Sequence, residues 1–353
     1  MDELERRVRA AWEGRVSGCL LGKAVEVLSV TSCRDELSTY LAKADALPLR
    51  DYIPYLEDAP DVIFEAACRG RFASSSPDDD INYSVLALEL LEAHGRDLTT
   101  EDVARAWLNR LPAGMTFTAE RAAYRRLLVE GSEWFGFGQT PQDFDLSRCS
   151  DNEYNDWIGA QIRADVYGWV APGDPELAAA LARTDASLSH RGDGVHGAVL
   201  VAAWGAAIAT AKNLSDALDR ASGLIPSDSG AAAAIALGRA LAEAGQGAAA
   251  IHERYADLSP VHTLNNLALV VWSLLTNPDD FGAAIGEVVA AGWDTDCNGA
   301  TVGALWSLQG KPIPDRWTAP WRGRVGVSLA GTAELRIEEL ASRTVSVARS
   351  LAR

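Results

Sequence analysis

The stretch Gly292-Trp293-Asp294-Thr295-Asp296-Cys297-Asn298-Gly299 follows an apolar run at 283–291 that has helical spacing. Asp294 and Asp296 stand two residues apart, whereas side chains that share one face of a helix are three or four residues apart. The spacing therefore predicts a tight turn at a helix start, with both carboxylates directed at one point. Oxygen ligands gathered in this way suit a hard cation such as Mg²⁺, Mn²⁺ or Ca²⁺. The stretch is not an EF-hand loop, because the position that should carry a bidentate Glu is Leu305.

A second acidic cluster, Asp78-Asp79-Asp80, precedes an apolar run at 81–91. The helix dipole favours carboxylates at a helix start, so a capped and solvated helix start is one interpretation. Adjacent carboxylates also repel one another unless a cation or protons neutralise them. Two such clusters, each in front of an apolar segment, favour a metal site that the two clusters share.

Together these stretches resemble the ADP-ribosylglycohydrolase family, whose members carry Thr-Asp-Asp-Thr early in the chain and Asp-Thr-Asp-Thr late. Asp78-Asp79-Asp80-Ile81 matches the first motif, and Asp294-Thr295-Asp296-Cys297 matches the second. The resemblance runs through most of the chain, and further segments match in the same order and spacing: Gly18-Cys19-Leu20-Leu21-Gly22, Ile158-Gly159-Ala160-Gln161-Ile162-Arg163, Ser189-His190 and His262-Thr263-Leu264-Asn265-Asn266.

The resemblance implies a centre of two Mg²⁺ ions, or alternatively Mn²⁺, with ligands from Asp78, Asp79, Asp80, Asp294, Asp296 and Cys297. Two of these stand where the family has threonine ligands: Asp78 adds charge, and Cys297 offers a softer atom that Mg²⁺ disfavours. Catalytic roles are implied for Glu26 and Asp79, which would position the water or act as the base. The segment that carries Glu26 is shorter than in relatives and has Lys23 where they usually have Asp. A solvated residue near a helix end is the alternative interpretation of Glu26.

Substrate-binding roles are implied for Gly159, His190 and Trp293. In the family, the segment that matches Gly159 is a Gly-Asn-Gly loop leading to Met-Arg, which lies against the substrate diphosphate. One of those glycines remains in this chain, so fewer flexible backbone amides are available for a diphosphate. His190 aligns with a histidine near the bound nucleotide, although a lone histidine is more often structural.

The composition is that of a globular protein, with 353 residues and 48% hydrophobic residues. A net charge of −17 argues against nucleic acid or an anionic membrane as a partner. No apolar run reaches transmembrane length, and the N-terminal segment has no signal-peptide core. Five cysteines without paired spacing fit reduced thiols, so we expect a cytoplasmic location.

Helical periodicity recurs throughout, almost nothing alternates with period two, and no linker divides the chain. We therefore expect one compact all-α domain over residues 1–353, an orthogonal helical bundle as in the family. Gly14, Gly18 and Gly22 are spaced four apart and line one face, where another helix or a ligand can approach closely. Helices are predicted at 3–29, 99–128 with a split at 111–114, 157–167, 196–211, 214–223, 229–245, 247–256, 262–276, 280–291, 298–308 and 334–351, with a long loop at 131–156.

The preferred hypothesis is Mg²⁺-dependent hydrolysis of an N- or O-glycosidic bond at the anomeric carbon of ribose or ADP-ribose. The substrate would be a modified protein or a small ribosyl compound, and the reduced glycine loop and acidic surface favour the small compound. One alternative is a non-catalytic metal- or nucleotide-binding protein, or a crystallin-like relative with a decayed site. Retention of at least four carboxylates argues against full decay, because stranded like charges destabilise a fold. Another alternative, a two-carboxylate glycosidase without metal, fits clustered acids less well than isolated ones.

Overall fold

A computed structural model describes residues 2–32, 34–131 and 144–352. Helices dominate these ranges, which confirms the predicted all-α fold. The α-helices are α1 (Glu3–Lys23), α2 (Glu26–Thr31), α3 (Arg34–Lys43), α4 (Asp79–His94), α5 (Thr100–Arg110), α6 (Thr118–Glu130), α7 (Asp165–Trp169), α8 (Pro175–Ala186), α9 (Gly192–Ile208), α10 (Leu214–Ser222), α11 (Gly230–Glu243), α12 (Ala249–Arg254), α13 (Thr263–Thr276), α14 (Phe281–Ala291), α15 (Thr295–Ser307), α16 (Asp315–Thr318) and α17 (Ile337–Leu351). Short 3₁₀ helices occupy Glu65–Ala67, Gly95–Asp97, Ala113–Met115, Leu146–Ser150 and Ile158–Arg163.

The most extensive helix–helix contact in the described ranges joins α1 to α15. A Cβ atom on Gly18 would lie 1.9 Å from the carbonyl oxygen of Gly299, so the two backbones touch directly. Near the other end of the contact, the hydroxyl of Thr295 donates a hydrogen bond to the carbonyl oxygen of Gly22 at 2.9 Å. The contact confirms the predicted close-approach face of α1. It also brings the end of α1 beside the start of α15.

A contiguous hydrophobic cluster fills the space between the helices. It includes large buried side chains such as Trp12, Trp204 and Trp306. No helix in the described ranges is long and apolar enough to cross a lipid bilayer.

The helix predictions differ from the structure mainly at segment ends. The predicted helix at 3–29 is two helices, because α1 ends at Lys23 and α2 begins at Glu26. The segment predicted as a helix at 157–167 is a 3₁₀ helix followed by the short α7. The long loop predicted at 131–156 lies partly outside the described residues, and its described part contains the 3₁₀ helix Leu146–Ser150.

An antiparallel hairpin of β1 (Arg324–Leu329) and β2 (Thr332–Arg336) was not predicted from the sequence. Three consecutive residues of β1 are buried, so the strand lacks the alternation that reveals a half-exposed strand. Because β2 extends to Arg336, the last helix begins at Ile337 and not at 334 as predicted.

Candidate metal centre

Three segments of the chain meet at a cavity of about 280 Å³. They are the junction of α1 and α2, the start of α4 and the start of α15. Acidic side chains from all three segments line the cavity, together with mostly apolar side chains from other parts of the chain. The lining residues are Lys23, Glu26, Pro77, Asp78, Asp79, Met115, Phe117, Thr118, Glu120, Ile158, Gly159, Ile162, Val261, Asp294, Asp296 and Cys297.

The turn before α15 has the tight geometry that the sequence predicted. Asp294 is the N-cap residue of α15, and Trp293 before it has a φ of 61°, which is uncommon for a bulky residue. The amide oxygen of Asn266 in α13 accepts hydrogen bonds from the backbone N–H of Asp294 at 3.3 Å and from the Asn298 side chain at 2.7 Å. Neighbouring helices therefore fix the turn and direct the two carboxylates of the stretch toward the cavity.

At the start of α4, the two carboxylate oxygens of Asp78 have different partners. Its Oδ1 accepts a hydrogen bond from the backbone N–H of Asp80 at 2.9 Å, as expected of an N-cap residue. Its Oδ2 lies 2.5 Å from the Lys23 ammonium. Asp78 is therefore both a helix cap and one half of an ion pair.

The carboxylate of Asp80 is completely buried behind the cavity. Its Oδ1 lies 3.2 Å from the guanidinium of Arg15, and its Oδ2 accepts a hydrogen bond from the Cys297 thiol at 3.2 Å. Arg15 is also completely buried and pairs with Asp165 at 2.7 Å. This arrangement fixes Asp80 from the side of the core.

Three groups of side chains offer ligand atoms within 4.8 Å of one another: Asp80 with Asp296 and Cys297, Glu26 with Asp294 and Asp296, and Asp78 with Asp79 and Asp80. All the predicted metal ligands therefore lie in one region. The buried Oδ1 of Asp296 has no hydrogen-bond partner, although a buried carboxylate oxygen normally has one. This unpartnered oxygen and the carboxylate donor set fit a hard divalent cation.

Crowding of the carboxylates perturbs their protonation. Repulsion from Asp296, together with burial, raises the pKa of Glu26 well above its ordinary value. Burial, reinforced by neighbouring carboxylates, raises the pKa of Asp79, Asp80 and Asp294 well above the ordinary value and that of Asp296 to about 6. Ionisation of the whole cluster is therefore unfavourable without a compensating positive charge.

Cys297 differs from the acidic residues around it. Burial, together with the nearby Asp294, raises the pKa of its thiol well above the ordinary value. The neutral thiol serves as a hydrogen-bond donor to Asp80, and a protonated sulfur is a poor ligand for Mg²⁺. The sequence expectation that Cys297 ligates an ion stays a prediction.

Gly159 lies at the cavity wall, directly against a carboxylate that the sequence did not reveal. A Cβ atom on Gly159 would lie 2.1 Å from Oε1 of Glu120. That oxygen is also 2.6 Å from the guanidinium of Arg163, which in turn pairs with Asp185. Glu120 stands in the first turn of α6, where a glutamate is ordinary, so no sequence signal marked it.

The two other residues predicted to bind substrate do not line the cavity. His190 is buried, with its Nε2 3.8 Å from Glu120 and its Nδ1 2.8 Å from the Ser189 hydroxyl, and burial lowers its pKa well below the ordinary value. The ring of Trp293 stacks on His252 with centroids 3.9 Å apart. Direct contact of either residue with a substrate stays a prediction.

The apolar side of the cavity was also missed by the sequence analysis. Ile158, Ile162 and Cys297 form a small hydrophobic cluster separate from the main core, with Val261 packed against it. Phe117 lines the same cavity and is 46% exposed. The cavity therefore presents carboxylates to one part of a ligand and an apolar surface to another.

Comparison with known proteins identifies the family. The family model described as ADP-ribosylglycohydrolase matches residues 1–351. Among solved structures, the fold is similar to a chain titled "ADP-ribosylglycohydrolase-related protein complex", with a TM-score of 0.59, 18% sequence identity, and coverage of 99% of this chain and 100% of that chain. No curated protein sequence matches the chain. The match over nearly the full length and the helical architecture agree, and the chain belongs to the ADP-ribosylglycohydrolase family.

Proposed function

We propose that the protein is a metal-dependent hydrolase that cleaves an N- or O-glycosidic bond at the anomeric carbon of ribose or ADP-ribose. The observation that carries this proposal is the convergence of carboxylates from three chain segments on one cavity that also has apolar lining residues. Family membership supports the glycohydrolase role. Mg²⁺ is the ion that we propose, with Mn²⁺ as the alternative, because the available donors are mainly carboxylate oxygens.

Glu26, Asp294 and Asp296 would hold the ion, with Asp79 beside them at the same cavity. When bound, a divalent ion would supply Lewis-acid polarisation of a water molecule and of sugar hydroxyl groups. The remaining negative charge of the cluster stabilises the positive charge that develops on the sugar ring as a glycosidic bond breaks.

Asp79 is the candidate for the general base, and Glu26, as a ligand of the ion, would position the attacking water. Both line the cavity, and both are partly accessible, unlike the buried Asp80. Neighbouring carboxylates and burial raise the pKa of both carboxyl groups, so a bound cation is needed before either is ionised and able to take part in catalysis.

Several contacts favour a small ribosyl compound over a substrate that must be held by its diphosphate. Lys23 is the one basic residue among the described residues that line the cavity, and it is paired with Asp78. At Gly159, where the family resemblance places the diphosphate, the carboxylate of Glu120 lies against the backbone. A phosphate approaching this wall would meet negative charge. An uncharged leaving group would instead meet Phe117 and the neighbouring isoleucines.

The test is a panel of ADP-ribosyl-arginine, ADP-ribosyl-serine, NAD and simple ribosides, incubated with the protein and Mg²⁺ and followed by product analysis. We expect ribose release from a riboside, and loss of that release in Asp294→Asn. Asp58→Asn is the matched control, because Asp58 forms an exposed ion pair with Lys43 that does not line the cavity.

Two other outcomes of the panel would contradict parts of the proposal. Release only from ADP-ribosyl-arginine or ADP-ribosyl-serine, which represent the linkages of a modified protein, would overturn the preference for a simple riboside. If no member of the panel turns over while metal is shown to be bound, the protein is a binding module and the proposal fails.

We further propose that residues 1–353 form a single domain, since the hydrophobic cluster extends through elements from α1 to α17. Family membership supports a ribosyl substrate as the partner, and the net charge of −17 argues against nucleic acid or an anionic membrane. A cytoplasmic location is proposed on the cysteine content alone.

A further inference from the structure

Lys23 ends α1 at the edge of the acidic cluster. Its side chain is 17% exposed, and its ammonium lies 2.5 Å from Oδ2 of Asp78 and 5.2 Å from the ring centroid of Phe64. The close contact with α15 fixes the end of α1, because Gly22 touches the backbone at Thr295. The ammonium is thus held within the group of carboxylates by the helix packing itself.

Because Asp78 is paired with Lys23, its carboxylate is not free to bind a metal ion. Its two oxygens are engaged by the Lys23 ammonium and by the backbone N–H of Asp80. Asp80 is engaged in a similar way, by Arg15 on one oxygen and by the Cys297 thiol on the other. Of the group Asp78, Asp79 and Asp80, only Asp79 has no described cationic partner.

The carboxylates of Glu26, Asp294 and Asp296 differ from those of Asp78 and Asp80 in having no cationic partner among the described residues. In the described part of the chain, none of these three carboxylates forms an ion pair with a basic side chain, and Oδ1 of Asp296 is buried without any partner. A divalent ion placed here gains ligands that no protein cation occupies. A second ion beside Asp78 would meet the positive charge of Lys23 at short range.

We propose that the centre holds one divalent ion, at Glu26, Asp294 and Asp296, and that the ammonium of Lys23 takes the place of a second ion at Asp78. This inference rests on the proposed metal-dependent function and differs from the sequence-based expectation of two ions. Lys23 is thereby a residue that determines the metal content of the site.

The test is the number of Mn²⁺ ions bound per chain, measured by equilibrium dialysis and by the electron paramagnetic resonance spectrum of the loaded protein. The wild type is expected to bind one ion and to show no Mn–Mn coupling. Lys23→Asp is expected to bind two ions and to show a coupled spectrum, because the ammonium is replaced by an oxygen ligand. Lys23→Met is expected to tighten binding of the first ion by about tenfold, since a nearby like charge is removed. Lys43→Met should match the wild type in both measurements.

The outcomes separate this inference from the proposed function. Two ions in the wild type, with riboside hydrolysis retained, would overturn only the inference. One ion in both the wild type and a folded Lys23→Asp would overturn the role of Lys23. If the wild type binds no Mn²⁺ at all, the proposed metal-dependent function fails as well. The wild-type measurement decides the ion number even if a variant does not fold.

Discussion

The substitution Gly18→Ala tests the direct backbone contact between α1 and α15. The new Cβ would lie 1.9 Å from the carbonyl oxygen of Gly299, about 1.5 Å short of the distance at which ordinary contact begins. The clashing atoms belong to a backbone, so no side-chain rotation relieves them, and the two helices must separate. Overpacking of this kind costs about 1–3 kcal/mol.

Two opposing effects set the net magnitude for Gly18→Ala. Alanine stabilises a helix interior relative to glycine by about 1 kcal/mol. With a clash at the upper end of the range, we expect a net loss of about 2 kcal/mol in the free energy of unfolding. For a chain of 353 residues this corresponds to a fall of about 3 °C in Tm. Binding of Mn²⁺ should also weaken, because the clash displaces Lys23 and Glu26 relative to Asp296.

The control is Gly205→Ala in α9. A Cβ atom there would lie 3.4 Å from the nearest atom, the Cδ1 of Leu308, which is an ordinary contact with a movable side chain. Because alanine stabilises a helix interior relative to glycine, Tm of this variant should be unchanged or slightly raised. Differential scanning calorimetry and urea unfolding measure both variants. If Gly18→Ala unfolds at the same temperature as Gly205→Ala, the direct contact between α1 and α15 is refuted.

Three further predictions concern the metal, the buried ion pairs and the cavity wall. Mg²⁺ at about 100 times its Kd should stabilise the fold by about 2.7 kcal/mol, and Asp294→Asn should abolish this stabilisation. An identical melting curve in EDTA and in Mg²⁺ would count against a metal site. Arg15→Met should lower the free energy of unfolding by about 3–5 kcal/mol in urea titrations, because Asp80 and Asp165 lose their shared partner in the core. A loss below about 1 kcal/mol would contradict that pairing. Phe117→Ala should raise KM for a riboside and leave kcat nearly unchanged. The stability should also change little, since Phe117 is 46% exposed. An unchanged KM in steady-state kinetics would exclude substrate contact with Phe117.

The acidic clusters were predictable because their signals are local. Asp78 and Asp294 each stand at the residue before a helix, where an acidic cap followed by an apolar run is visible in the sequence. The four-residue spacing of glycines in α1 likewise predicted a face of close approach. Each of these patterns spans only a few residues, and the family resemblance added that the clusters meet.

The rest of the site depends on contacts between distant segments. The ion pair between Lys23 and Asp78 joins residues 55 positions apart, and neither residue marks the other in the sequence. Glu120 and Phe117 belong to an ordinary helix start, and only tertiary packing turns them toward the cavity. Phe117 is also partly exposed, so a search for buried hydrophobic residues would pass over it.

The direct contact between α1 and α15 has a consequence for the order of events during synthesis. The two helices are separated by more than 270 residues of chain, and at about 5–20 residues per second α15 follows α1 from the ribosome after roughly 15–55 seconds. During that interval the glycine face of α1 has no partner, and Trp12, buried in the folded chain, lacks its complete surroundings. The acidic cluster is likewise incomplete until Asp296 is made. The candidate metal centre therefore cannot guide the early steps of folding, because it is complete only after the start of α15 has been made.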